Sequence, residues 1–254
     1  MRSFTLTTAL TACALLALAL TAAGDDLNGA PSWPTNEFHF TRMYYNGNSY
    51  DRGWGGGSWT TDYPEAEYHF TMGVSRLTRV DVGEQSRMLQ LTDDTIFDYP
   101  WLYAVEVGRW YLDDTEAGRL REYLLRGGFL MTDDFHGSRQ WASFLESMQR
   151  VFPDRPIVEI PETDEVMNVL YTLDERIQIP GIAALRFGQT YEQDGVEPHW
   201  RGIYDDSGRL MVAINFNMDL GDAWEHADDP FYPEQMTGLA YRFAVNYVVY
   251  AMTH

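Results

Sequence analysis

Between Asp113 and Asp134 the chain places an amphipathic helix directly before an apolar strand, and this juxtaposition constrains the fold more than any other feature. Asp113 and Glu116 make a capping signature. Ala117, Leu120 and Leu124 then recur on one helical face, and Gly127 supplies the stop. Residues 128–132 (GFLMT) follow as a buried strand that ends in Asp133-Asp134. A strand with so little polar alternation needs cover on both faces, the habit of parallel sheets joined by helical crossovers. The same alternation runs along the chain. Residues 38–45, 88–91, 99–107 and 157–160 read as strands. A helix is expected after Asp62, which pairs with Glu65 as a second capping signature, and another from Ser138. The last helix carries Met236, Ala240, Phe243, Tyr247 and Tyr250, at spacings of 4, 3, 4 and 3. Residues 200–204 and 210–216 flank Asp205-Asp206-Ser207-Gly208 as a hairpin. Residues 161–200 show little order, and 217–233 read as an acidic, tryptophan-containing loop. The expectation is one three-layer α/β/α domain over residues 36–254 with a mostly parallel sheet, after a polar lead-in at 24–35.

Charge narrows the partners. The net charge is -20, from 38 acidic and 18 basic residues, and every basic residue is arginine. Such a field repels phosphate backbones and anionic lipid, so nucleic acid and acidic membrane surfaces are unsuitable partners. The only cysteine, Cys13, lies in an apolar N-terminal run preceded by Arg2 and followed by small residues. Residues 1–23 read as a cleaved signal peptide, which places the mature chain in the periplasm or outside the cell without a stable membrane span. A chain without Cys13 has no thiolate for disulfides, zinc–sulfur sites or covalent catalysis.

Several phrases together carry a resemblance: DYPEAE at 62–67, YPWLYAVEVG at 99–108, LREYLLRGGFLMTDD at 120–134, LGDAWE at 220–225 and AVNYVVYA at 244–251. The chain resembles the bacterial family DUF4159, a domain of unknown function, over nearly its whole length from about residue 36. The resemblance implies a class I glutamine amidotransferase-like, flavodoxin-like fold. It does not bring amidotransferase chemistry with it, because the elbow where those enzymes carry a cysteine has Asp133, Asp134 and Phe135 here.

Three clusters carry candidate chemistry. Asp133 and Asp134 follow a buried strand, where open parallel sheets bind ligands. They can hold a divalent cation, share protons in acid–base work or cap the next segment, with His136 close by. Arg42, Tyr44, Trp54 and Trp59 surround a glycine-rich loop and can form a platform for a flat-faced ligand, or plug the core. Asp219, Asp222, Trp224, Glu225 and His226 form an acidic, aromatic group without the spacing of a calcium loop or a zincin helix. Asp133, Asp134 and Glu225 are the catalytic candidates; Asp133, Asp134, Asp219 and Asp222 are the metal candidates. No phosphate loop, dinucleotide fingerprint or nucleophile elbow with serine is present, and no cofactor is evident beyond a divalent cation. Two functions are expected from these residues: an envelope-associated module that binds a glycan, a peptide or a partner protein, and, as the alternative, a carboxylate- or metal-dependent hydrolase acting on a carbohydrate or ester.

Overall fold

The computed structural model describes residues 36–47 and 58–254. The expected signal segment with Cys13, and Trp54 of the expected platform, lie outside the described residues. Asn36–His254 form one compact unit.

The protein has a mixed α/β fold built on a seven-stranded, mostly parallel sheet. Its elements are β1 (Thr41–Tyr44), β2 (Asn46–Gly47), α1 (Glu65–Leu77), β3 (Arg87–Gln90), β4 (Trp101–Val105), β5 (Trp110–Tyr111), α2 (Asp114–Leu125), β6 (Phe129–Asp133) and α3 (Gly137–Val151). They continue with β7 (Val158–Glu159), α4 (Ile182–Arg186), β8 (His199–Tyr204), β9 (Leu210–Phe216), α5 (Leu220–Glu225) and α6 (Glu234–Thr253). The strand order is β3-β1-β4-β6-β9-β8-β7, and β2 pairs separately with β5. β3, β1, β4, β6 and β9 run parallel, while β8 and β7 add an antiparallel edge.

Alternation along β4 sorts the core. Trp101, Tyr103 and Val105 face one side with α1, α5 and α6, whereas Leu102 and Ala104 face the other with α2 and α3. Both sides of the strand are thus buried, as its unbroken apolar run requires. The capping box of α2 is formed: Asp113 accepts from the Thr115 and Glu116 amides at 2.8 and 2.9 Å, and Glu116 returns a bond to the Asp113 amide. The hairpin of β8 and β9 is also formed, in antiparallel register. Among the described residues, no helix is long and apolar enough to cross a membrane.

Two local expectations are corrected. Asp62 does not cap α1. Proline keeps the residue before it out of the helical region, so the helix starts beyond Pro64. Asp62 sits ahead of it at φ 64°, in the left-handed region. Residues 217–233 are not all loop, since Asp219 caps the short helix α5 through the Asp222 amide.

Candidate functional site

Segments that follow β1, β6 and β9 deliver carboxylates to one place beyond the C-terminal ends of the parallel strands, the usual ligand position in such sheets. β6 ends in Asp133, which is fully buried. Its Oδ2 accepts from the Tyr103 hydroxyl at 3.2 Å and from the Gly221 amide at 2.8 Å. Its Oδ1 is enclosed without a hydrogen-bond partner among the described residues. The chain then turns at Asp134, at φ 50°. The Asp134 amide is held by the Met218 carbonyl at 3.1 Å, and its Oδ1 lies 3.1 Å from His136 Nε2. His136 Nδ1 is buried and has no hydrogen-bond partner among the described residues.

Asp62 arrives from the loop after β1. Buried Arg42 pairs with Glu67 and donates from Nη1 to the Trp59 and Thr61 carbonyls at 2.9 and 2.8 Å, which fastens the segment just ahead of Asp62. Asp62 Oδ2 is closed off from solvent and has no hydrogen-bond partner among the described residues. From the far side, Asp219 accepts the Asp222 amide at 2.8 Å, and Asp222 accepts the Ile182 amide at 2.6 Å.

One oxygen each from Asp62, Asp134 and Asp219 lie within 4.8 Å of one another, and so do ligand atoms of Asp222, Glu225 and His226. The two groups adjoin through the Asp219–Asp222 bond. Glycines allow the crowding. A Cβ on Gly181 would stand 2.8 Å from Asp219 Oδ2, 2.9 Å from Glu192 Oε1 and 3.2 Å from Asp222 Oδ2; one on Gly221 would collide with Asp62 and the Tyr103 hydroxyl.

Burial and mutual repulsion set the protonation of the pocket. Burial, then the charge of Asp134, pushes Asp133 up to about 8. Burial and the neighbouring carboxylates raise Asp62 and Asp219 well above the usual carboxylate range, with Arg42 partly opposing the shift at Asp62. Asp222, Glu192 and Glu225 are also raised, chiefly by burial. Burial disfavours the charged form of His136, yet its bond to Asp134 and the surrounding acids outweigh that and raise it. Two unit negative charges about 5 Å apart repel by roughly 3 kcal/mol at an effective dielectric of about 20. The pocket therefore favours protons or a cation.

The structure thus joins the two acidic clusters read from the sequence. Asp133, Asp134 and His136 meet Asp219, and through it Asp222, Glu225 and His226. The aromatic candidates are placed elsewhere. Trp224 is fully buried in the core against Phe70, with ring centroids 4.6 Å apart. Tyr44 packs on Trp59 at 4.8 Å, and Arg42 is internal. Sequence reading did not select Asp62, Tyr103, Gly181 or Glu192 for the site. The readable signal for Asp62 was Pro64, which displaces the helix and frees the aspartate.

The family model described as Domain of unknown function (DUF4159) matches residues 39–252. The match spans most of the chain, so the protein belongs to that family. Among curated proteins none matches.

Proposed function

With membership of the DUF4159 family as the premise, we propose that the protein is a hydrolase whose working group is the buried carboxylate pocket charged with a divalent cation, acting on a carbohydrate or ester. One observation carries the reading: Asp62 Oδ2 and Asp133 Oδ1 are shut off from solvent without a hydrogen-bond partner among the described residues, in a pocket where further carboxylates converge. Unsatisfied buried carboxylate oxygens are costly unless a proton or metal meets them. Asp62, Asp134 and Asp219 would hold the ion, an all-oxygen set suited to magnesium, calcium or manganese. When bound, a cation supplies Lewis-acid polarisation and a more acidic water. His136 orients Asp134 through Nε2. In the metal-free pocket Asp133 keeps its proton near neutral pH, and we assign it as the group that passes that proton toward a leaving oxygen. A purely binding module would leave this concentration of buried acids without a use, and for that reason stands second. The order of β3, β1, β4, β6 and β9 supports reading the fold as flavodoxin-like. Export after loss of residues 1–23 completes the proposal, with a glycan or another envelope component as the partner.

Melting curves with calcium, magnesium, manganese and zinc at matched ionic strength test the ion. We expect a specific upward shift that Asp62→Asn, Asp134→Asn or Asp219→Asn abolishes. Screening neutral glycosides and esters with the loaded protein tests the reaction, with turnover expected to vanish in Asp134→Asn. No ion-specific shift for the wild type would overturn the cation reading.

A further inference from the structure

Beside the carboxylate pocket lies a second depression of about 430 Å³, lined by Ser138, Trp141, Asp194, Glu197, His199 and Phe216 among others. Its volume falls in the range of small-molecule sites, about 300–1,000 Å³. Three chain segments connect the two places. Asp134 and His136 face the carboxylates, and Ser138 lines the depression. Glu192 stands against Asp219 and Asp222, and Asp194 lines the depression. Asp219 belongs to the first, and Asn217 to the second. Each passage takes two residues, a reach of about 7 Å of extended chain.

The lining defines what fits. One wall is aromatic: Trp141 meets Phe216 with centroids 4.7 Å apart, and His199 stacks on Phe216 at 5.9 Å. The polar groups include two carboxylate acceptors, Asp194 and Glu197. Asp194 takes the Ser138 amide at 2.9 Å and its hydroxyl at 2.7 Å, which hold it below the usual carboxylate range and leave lone pairs over. Glu197 is exposed at the mouth. Among the described residues no arginine lines the depression, and Arg201, set over the Trp141 and Phe216 rings at 4.6 and 5.6 Å, is paired with Glu159 at 2.7 Å. Two carboxylates without a lining cation repel anions, so phosphorylated and acidic ligands are disfavoured. An aromatic wall facing hydrogen-bond acceptors suits a molecule with apolar C–H surface and many hydroxyl donors.

We infer that this depression is a sugar-binding subsite that seats a neutral pyranose unit of an oligosaccharide substrate of the adjoining carboxylate pocket. The inference rests on the hydrolase reading and names its substrate class as carbohydrate. Intrinsic tryptophan fluorescence and calorimetry of the full chain, with cellotetraose, xylotetraose, mannotetraose, maltotetraose and chitotetraose as probes, test it. At least one tetraose should bind, and Trp141→Leu and Glu197→Gln should each weaken it tenfold or more while leaving the manganese melting shift unchanged. Glu197 is exposed, so that variant keeps the test valid if Trp141→Leu fails to fold. The inference is overturned if no tetraose binds, if binding is indifferent to Glu197→Gln, or if tetramethylammonium binds in preference to every sugar. Manganese binding without tetraose binding would sink the subsite and spare the cation site; tetraose binding at Trp141 and Glu197 without any cation effect would do the reverse.

Discussion

Arg42 lies fully buried on β1, its Nε on Glu67 and its Nη1 shared between the Trp59 and Thr61 carbonyls. The planar fork satisfies three acceptors at once, a geometry lysine does not reproduce. Its removal strands the Glu67 charge in the core. We expect Arg42→Gln to cost about 3–5 kcal/mol, the usual price of breaking a buried pair. Arg42→Lys should retain more stability but lose at least tenfold in cation affinity, because the segment ahead of Asp62 loses its clamp. Denaturant titration and manganese calorimetry read the two effects separately. Asp133 makes a prediction of its own. Its folded value, about 8, lies above that of an unfolded aspartate, about 3.9, so the folded state holds a proton the unfolded state releases between them. Its contribution to stability is complete below pH 4 and is lost as pH rises through 8. In chelator, the melting temperature should therefore fall from pH 5 to pH 8, with a shallower slope in Asp133→Asn. An equal slope in both proteins would reassign the effect to the other buried acids. At this scale the sequence was only partly legible. The Asp133-Asp134 pair is visible because it directly follows an apolar strand. Asp62 and Glu192 reach the pocket only through tertiary packing, one behind a proline and one from a stretch with no periodicity.

The secondary elements divide into those that hold the fold and those that hold the pocket. α2 belongs to the first kind. Removing its cap with Asp113→Ala should cost about 1 kcal/mol and leave cation binding untouched. α5 belongs to the second. Its Gly221 amide donates to Asp133 at 2.8 Å, and a side chain there would collide with Asp62 and Tyr103. Gly221→Ala should destabilise by about 1–3 kcal/mol, as overpacking does, and weaken cation binding tenfold or more. Chemical denaturation beside calorimetry distinguishes the two variants. α2 was readable because its cap and apolar spacing agree, β6 because its apolar run is unbroken up to Thr132, and α6 because Met236, Ala240, Phe243, Tyr247 and Tyr250 keep one helical spacing. α5 was not, since a six-residue helix has too few turns for a period and its strongest signal, Asp219, also reads as a metal ligand.

For the molecule as a whole, the excess of acids acts through self-repulsion. The Debye length falls from about 30 Å at 0.01 M salt to about 10 Å at 0.1 M, so monovalent salt should raise the melting temperature by screening. Scanning calorimetry across that salt range reads the shift; a melting temperature that falls or stays flat would show that surface repulsion does not limit stability. The outer strands of the sheet bear on a different property. β3 has four residues and β7 only two, and β7 stands between Pro156 and Pro161. Proline has no amide hydrogen to donate, and a two-residue strand offers few free groups for a neighbour to continue. The β7 border is therefore a poor template for another chain's strand. At this border the folded protein offers little from which a fibril could grow in concentrated solution.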